Sequence, residues 1–249
     1  MFSLKGKSAL VTGAARGIGF KIAEKLARSG ASVSLADINE TQLAESVASL
    51  QAQGLTVAGV VVDVGNNDSI AEAVRKTVET LGGLDIVVNN AGILGAGSIE
   101  EMTRESWDRV LNINLSGTFF VSQAALPHLR KSPCARIINI SSVTGRNGGF
   151  EGSMSYAASK GGVIAITRGM ASRLAAERIT VNAVCPGTTA TDILKGYTPE
   201  AVDRQINKIP MKRLGEPDEI AAAVCYLASD EAAFVTGAML DINGGAFIG

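Results

Sequence analysis

Short runs that are apolar on both faces recur at Ser8–Thr12, Ser32–Asp37, Thr56–Asp63, Asp85–Asn89, Arg136–Ser141, Thr180–Cys185 and Ala238–Ile242. Their Val, Ile, Leu and Ala content predicts strands covered on both sides. The longer segments between them carry helical periodicity, as in Ile22, Lys25, Leu26 and Ser29, then Leu43, Val47 and Leu50, with Gly30 and Gly54 placed as helix stops. Strand and helix alternate almost throughout, which calls for a doubly wound α/β architecture: a mostly parallel seven-stranded sheet with helices on both faces. No linker, low-complexity tract or repeat divides residues 1–249, so a single domain is expected. The stretch from Gly187 to Leu214 departs from the alternation, with Pro199, Pro210 and few strand formers. It reads as a short-helix insertion above the strand ends and a candidate substrate lid.

Composition narrows the functional classes. A formal net charge of −1 and 4% aromatic residues over 249 residues give neither the basic stripe nor the stacking platform of a nucleic-acid binder. His128 is the single histidine, and Cys134, Cys185 and Cys225 lack metal-ligand spacing, so no metal site is expected. Scattered, odd-numbered cysteines suit reduced thiols in a reducing compartment, and a cytoplasmic protein is expected. No apolar run reaches the roughly 18 residues of a membrane span, and the amino terminus leads straight into a strand pattern without a signal peptide's features.

After the first strand comes Thr12-Gly13-Ala14-Ala15-Arg16-Gly17-Ile18-Gly19, followed by a helix. Glycines at these spacings allow a tight turn, close approach of backbone to a pyrophosphate and close helix-strand packing, the dinucleotide (Rossmann) arrangement. Asp37 closes the second strand, where its carboxylate can accept hydrogen bonds from a ribose; capping the next helix is the alternative. Arg16 could instead attract a 2′-phosphate, but an unneutralised Asp37 opposes that anion, so NAD is the expected cofactor. Asp63 and Val64 end the third strand; Asp63 can meet the adenine amine or cap the helix starting near Asn67. Asn89-Asn90-Ala91-Gly92 after the fourth strand suits ribose contact or support of the pocket.

Tyr156 and Lys160 lie four apart near the start of a long helix, on one face. An ammonium beside the phenol favours the phenolate and would bring its pKa toward working pH, making a proton-transfer pair, although the spacing alone fits a chance Tyr and Lys on an amphipathic helix better.

These pieces, together with Asn114 in Ile113-Asn114-Leu115, Ser142 after the fifth strand and Pro186-Gly187 after the sixth, resemble a classical short-chain dehydrogenase/reductase over essentially the whole length. The carboxyl-terminal stretch from Arg213 through Gly245 follows the same pattern. The resemblance implies that Tyr156 exchanges a proton with the substrate oxygen, Ser142 holds that oxygen, Lys160 assists the phenol and binds the nicotinamide ribose, and Asn114 anchors a water on the proton path. It further implies that Gly13, Arg16, Gly17, Ile18, Gly19, Asp37, Asp63, Val64, Asn90, Ala91, Gly92, Tyr156, Lys160, Pro186, Gly187, Thr188 and Thr191 line the cofactor. His128 matches no catalytic position of the family.

The expected function is an NAD-dependent oxidoreductase interconverting a secondary alcohol and a ketone, acting on a small molecule such as a sugar, polyol or hydroxy acid. Arg146, Asn147 and Glu151 supply polar groups for substrate hydroxyls. A 3-oxoacyl thioester (acyl-carrier-protein) reductase is the alternative; comparable reductases carry basic residues where this chain has Pro133 and Glu177. A catalytically silent nucleotide sensor is the non-enzymatic alternative. The apolar ending Gly245–Gly249 and the helix around Ala221–Leu227 suggest a homotetramer.

Overall fold

The computed structural model describes residues 2–95, 97–149, 154–191 and 198–249. Among them one sheet of seven strands runs in the order β3-β2-β1-β4-β5-β6-β7, with every neighbouring pair parallel. The strands are β1 (Ser8–Thr12), β2 (Ser32–Asp37), β3 (Val57–Val61), β4 (Ile86–Asn89), β5 (Arg136–Ile140), β6 (Thr180–Pro186) and β7 (Met239–Ile242). The order reverses between β1 and β4, which opens a crevice at the carboxyl ends of these two strands.

Every residue of β1, β4, β5 and β6 is buried, as runs apolar on both faces require. Along β1, Ala9 and Val11 join one core while Leu10 joins the other. The first core is covered by α1 (Gly17–Arg28), α2 (Glu40–Gln51) and α9 (Pro217–Ala228), the second by α3 (Asn67–Leu81), α5 (Gly117–Leu129) and α7 (Met154–Leu174). Helix boundaries follow local chemistry. Asn39 caps α2 by accepting Gln42 N–H, Asn66 caps α3 by accepting Ser69 N–H, and Gly30 and Gly54 take positive φ just beyond α1 and α2.

The predicted strands hold, with one difference of note at β3. Val62 N–H still reaches the Asp37 carbonyl, but Asp63 then turns on itself, its Oδ1 accepting Gly65 N–H at 2.8 Å. The expected insertion is rooted beside the sheet: Thr189 bridges Gly215, and α8 (Pro199–Lys208) follows Thr198 as its cap. Residues 192–197 of that predicted lid lie outside the described residues. In α9, Ala221, Ala223, Val224, Cys225 and Leu227 are buried within the single chain. These side chains thus serve an intramolecular contact with α1, and Phe234 and Ile248 are among the large hydrophobics left exposed. No helix among the described residues is long and apolar enough to cross a membrane.

Candidate active site

The glycine turn is built by close backbone approach. A Cβ on Gly13 would stand 2.8 Å from Ala91 Cα, and one on Gly19 would stand 2.1 Å from the Gly13 oxygen, so neither position accepts a side chain without movement. Gly17 adopts φ +58°, a conformation favouring glycine, and faces open space bounded by the Thr191 methyl at 4.0 Å from a notional Cβ. The α1 amino terminus, with exposed Arg16 as its cap residue and Ile18 behind, therefore opens into the crevice opposite the segment that leaves β6. Such a backbone cradle at a helix amino terminus fits a pyrophosphate.

Asn90 supports this turn. Its amide donates to the Thr12 and Gly13 carbonyls at 3.0 and 2.9 Å, while the N–H groups of Asn90 and Ala91 both reach Thr12 Oγ1 at 3.1 Å. At the β2 end, Asp37 Oδ2 accepts Ala15 N–H and Oδ1 accepts Asn39 N–H, each at 3.0 Å. The cap of α2 is Asn39, so Asp37 does not hold that place. Likewise the cap of α3 is Asn66; Asp63 is exposed at the crevice edge, while Val64 is buried beneath Gly117.

The chemical groups converge where α6 (Val143–Asn147), α7 and the α4–α5 junction meet. Helix α4 (Arg104–Leu111) runs into α5 through a π-turn, Asn112–Ser116, which presents the fully buried Asn114. Its side chain accepts Ile93 N–H at 2.8 Å and donates to the Ile93 carbonyl and to Ser159 Oγ at 2.9 and 3.0 Å. Lys160, 4% exposed, donates to the Ile140 carbonyl at 2.8 Å and places Nζ 5.8 Å from the Tyr156 ring centre. A Cβ on Gly92 would lie 3.5 Å from that Nζ, so this glycine leaves the ammonium open toward the crevice. Ser142 caps α6, accepting Thr144 N–H at 3.1 Å, and its hydroxyl also bonds the Tyr156 phenol.

Burial pushes the Tyr156 phenol above its ordinary value, and the Ser142 hydrogen bond opposes the shift. Burial brings Lys160 down to about 8, where it remains largely cationic at neutral pH. The group that opposes this rise is Ser142, while Lys160, with Nζ 5.8 Å from the ring centre, directs a hydrogen bond to the Ile140 carbonyl. A protonated phenol suits donation to a carbonyl oxygen.

Beyond β6, Gly187 N–H bonds the Ile242 carbonyl at 2.9 Å and Thr188 accepts Gly215 N–H through its carbonyl at 3.0 Å, fixing Pro186, Gly187 and Thr188 at the crevice rim. Arg146 does not join the substrate side; its guanidinium lies against Asp241 and the carboxyl-terminal segment. Glu151 lies outside the described residues. Glu177 forms an exposed ion pair with Arg130 at 2.6 Å, and His128 is half-buried on α5, away from these groups. Ser159, the Ile140 carbonyl and the Ser141 hydroxyl, which donates to the Lys160 carbonyl at 2.8 Å, support the site and were not expected. The serines flank named residues in sequence; a main-chain acceptor leaves no such signal.

A family model described as enoyl-(acyl carrier protein) reductase matches residues 13–246. The 3-oxoacyl-[acyl-carrier-protein] reductases FabG of Thermotoga maritima and Vibrio cholerae are each 41% identical, covering 98% and 99% of this chain and 99% of their own. The crystal structure of a dehydrogenase/reductase from Sinorhizobium meliloti superposes with a TM-score of 0.93 at 38% identity, over 99% of this chain and 97% of that one. Sheet order, crevice and relatives agree along nearly the full length, and the chain belongs to the short-chain dehydrogenase/reductase family.

Proposed function

We propose that this oxidoreductase interconverts 3-oxoacyl and 3-hydroxyacyl thioesters with NAD(H). The carrying observation is full-length similarity to reductases named for 3-oxoacyl thioesters, 41% identity over 247 residues. This favours the thioester alternative over a sugar, polyol or hydroxy acid. The polar loop offered for hydroxyl recognition gives no counterweight, since Arg146 is engaged elsewhere. NAD(H) is supported by Asp37, whose carboxylate stands at the β2 end beside the glycine turn with no cation paired to it among the described residues.

NAD(H), when bound, supplies hydride exchange. Tyr156 gives its phenolic proton to the substrate oxygen in reduction and takes it back in oxidation. Ser142 holds the same oxygen and the phenol together. Lys160, with one N–H on Ile140, has two left for the phenol and a ribose hydroxyl. Asn114 fixes the Ile93 backbone that follows Gly92, and so the floor behind Lys160.

The deciding assay compares acetoacetyl-CoA with polyols, aldoses and hydroxy acids, using NAD(H) and NADP(H) and following nicotinamide absorbance. The thioester with NADH is expected to exceed every other pair in kcat/KM; preference for a polyol overturns the reading. A homotetramer is also proposed, supported by exposed Phe234 and Ile248. Light scattering that finds a monomer at micromolar concentration overturns it.

A further inference from the structure

Helix α6 has five residues, none of them buried in the described core, yet it carries Ser142 at its amino end. One turn of helix has too few internal bonds to hold itself in place, so its position is set from outside. One contact is with α7. A Cβ on Gly145 would fall 2.6 Å from the Lys160 carbonyl carbon, so the two backbones touch at the lysine.

The other contact is Arg146. Its guanidinium meets Asp241 of β7 at 3.2 Å, donates to the Gly249 oxygen at 3.2 Å and lies 4.8 Å over the centre of the Phe247 ring. The Arg146 and Asp241 side chains are 13% and 22% exposed, so their ion pair is only partly screened by water. Asp241 Oδ1 is buried with no hydrogen-bond partner among the described residues, which makes Arg146 the principal compensation for that carboxylate there. The same carboxyl-terminal segment touches the rest of the site: Gly187 packs against Asn243, and Gly244 and Gly245 against Ile209 and Pro210 at the base of the insertion.

We propose that Arg146 is a positioning residue that holds Ser142 against Tyr156 by clamping α6 to Asp241 and Phe247. The inference rests on the roles given above to Ser142 and Tyr156. Loss of the clamp frees α6 to shift, and Ser142 then loses its hydrogen bond to the phenol. That bond draws the phenol's pKa down, so its loss moves the alkaline limb of the pH profile upward. Among the described residues, Ser142 is the polar group that acts on the phenol, and Lys160, 5.8 Å from the ring centre, keeps its Ile140 bond in either case.

The test uses the full chain with acetoacetyl-CoA and NADH. R146M should lose about tenfold or more in kcat, the scale of small misplacements in a reacting site. Its alkaline limb should move in the same direction as that of S142A, and the double variant should be little worse than S142A. R146K should recover part of the rate, since an ammonium reaches Asp241 but does not lie flat on Phe247, and NADH binding should stay as in the wild type. F247A, a change on the surface segment, should give a smaller shift of the same sign and decides the matter if R146M does not fold. A wild-type alkaline limb in the folded variants, or full additivity with S142A, overturns the proposal. Normal activity in Y156F would instead overturn the roles on which it rests.

Discussion

The carboxylate of Asp37 receives the backbone N–H of Ala15 at 3.0 Å, tying the end of β2 to the middle of the glycine turn. One carboxylate thus shapes the turn and puts negative charge at the β2 end, beside the crevice.

The first prediction concerns cofactor choice. On the proposed reading NAD would gain charge-assisted bonds from Asp37, whereas a 2′-phosphate would meet an anion that, among the described residues, has no ion pair with exposed Arg16. Wild-type kcat/KM should favour NAD by about 100-fold, roughly 2.7 kcal/mol. Asp37→Ser should narrow that ratio by weakening NAD use and admitting NADP. Equal efficiencies in the wild type, or an unchanged ratio in the variant, would leave Asp37 as a support of the turn alone.

The second prediction concerns the phenol. Tyr156→Phe keeps the ring in place and removes the transferable proton, so turnover should fall by at least about 100-fold while NADH binding persists. Because burial holds the wild-type phenol protonated, reduction should stay flat through neutral pH and oxidation should rise toward alkaline pH. Substrate reduction in the variant at near wild-type rates would remove Tyr156 from the proton path.

A third prediction tests the backbone cradle. Gly19→Ala places a methyl 2.1 Å from the Gly13 carbonyl oxygen and 2.4 Å from Asn90 Nδ2, inside a turn that cannot give way cheaply. Overpacking of this kind costs about 1–3 kcal/mol and should weaken NADH affinity as the turn reopens. Fluorescence titration with NADH and a thermal melt read both effects. Wild-type affinity with wild-type stability would show that the contact relaxes freely.

The sheet was legible because its central strands are covered on both faces, so apolar runs such as Ser8–Thr12 and Ser32–Asp37 fall within the observed boundaries. Tyr156 and Lys160 were legible through the family motifs around them, since their helical spacing alone fits a chance pair equally. The balance between them was not, since it depends on the Ile140 carbonyl, a main-chain group without a side-chain signature. Asp37 and Asp63 show the same limit: any Asp before a helix resembles a cap, and the neighbours Asn39 and Asn66 hold those places. Arg146 read as a loop residue facing solvent or substrate because Asp241 and Phe247, which hold it, lie about a hundred residues away.

The last prediction follows from burying a cation. Burial brings Lys160 from 10.5 to about 8, so the folded protein binds its proton less tightly than the unfolded chain does. Below about pH 8 the lysine is charged in both states and the fold bears the whole desolvation cost. Between pH 8 and 10.5 the unfolded chain holds more protons, so this contribution to stability rises with pH, and above 10.5 the cost is gone. At about 1.4 kcal/mol per pKa unit the penalty at pH 7 is on the order of 3 kcal/mol. Lys160→Met removes that penalty but also the Ile140 carbonyl's donor, a loss of about 1 kcal/mol. The variant should therefore be more stable than the wild type at pH 7 by about 1–2 kcal/mol, a rise of several degrees in Tm for a chain of this size, while losing catalysis. By pH 10.5 the advantage should vanish or reverse. Urea unfolding of both proteins at pH 7 and above pH 10 measures the difference directly. A less stable variant at pH 7, or a difference that does not change with pH, would mean that the lysine's hydrogen bonds outweigh the cost of its burial.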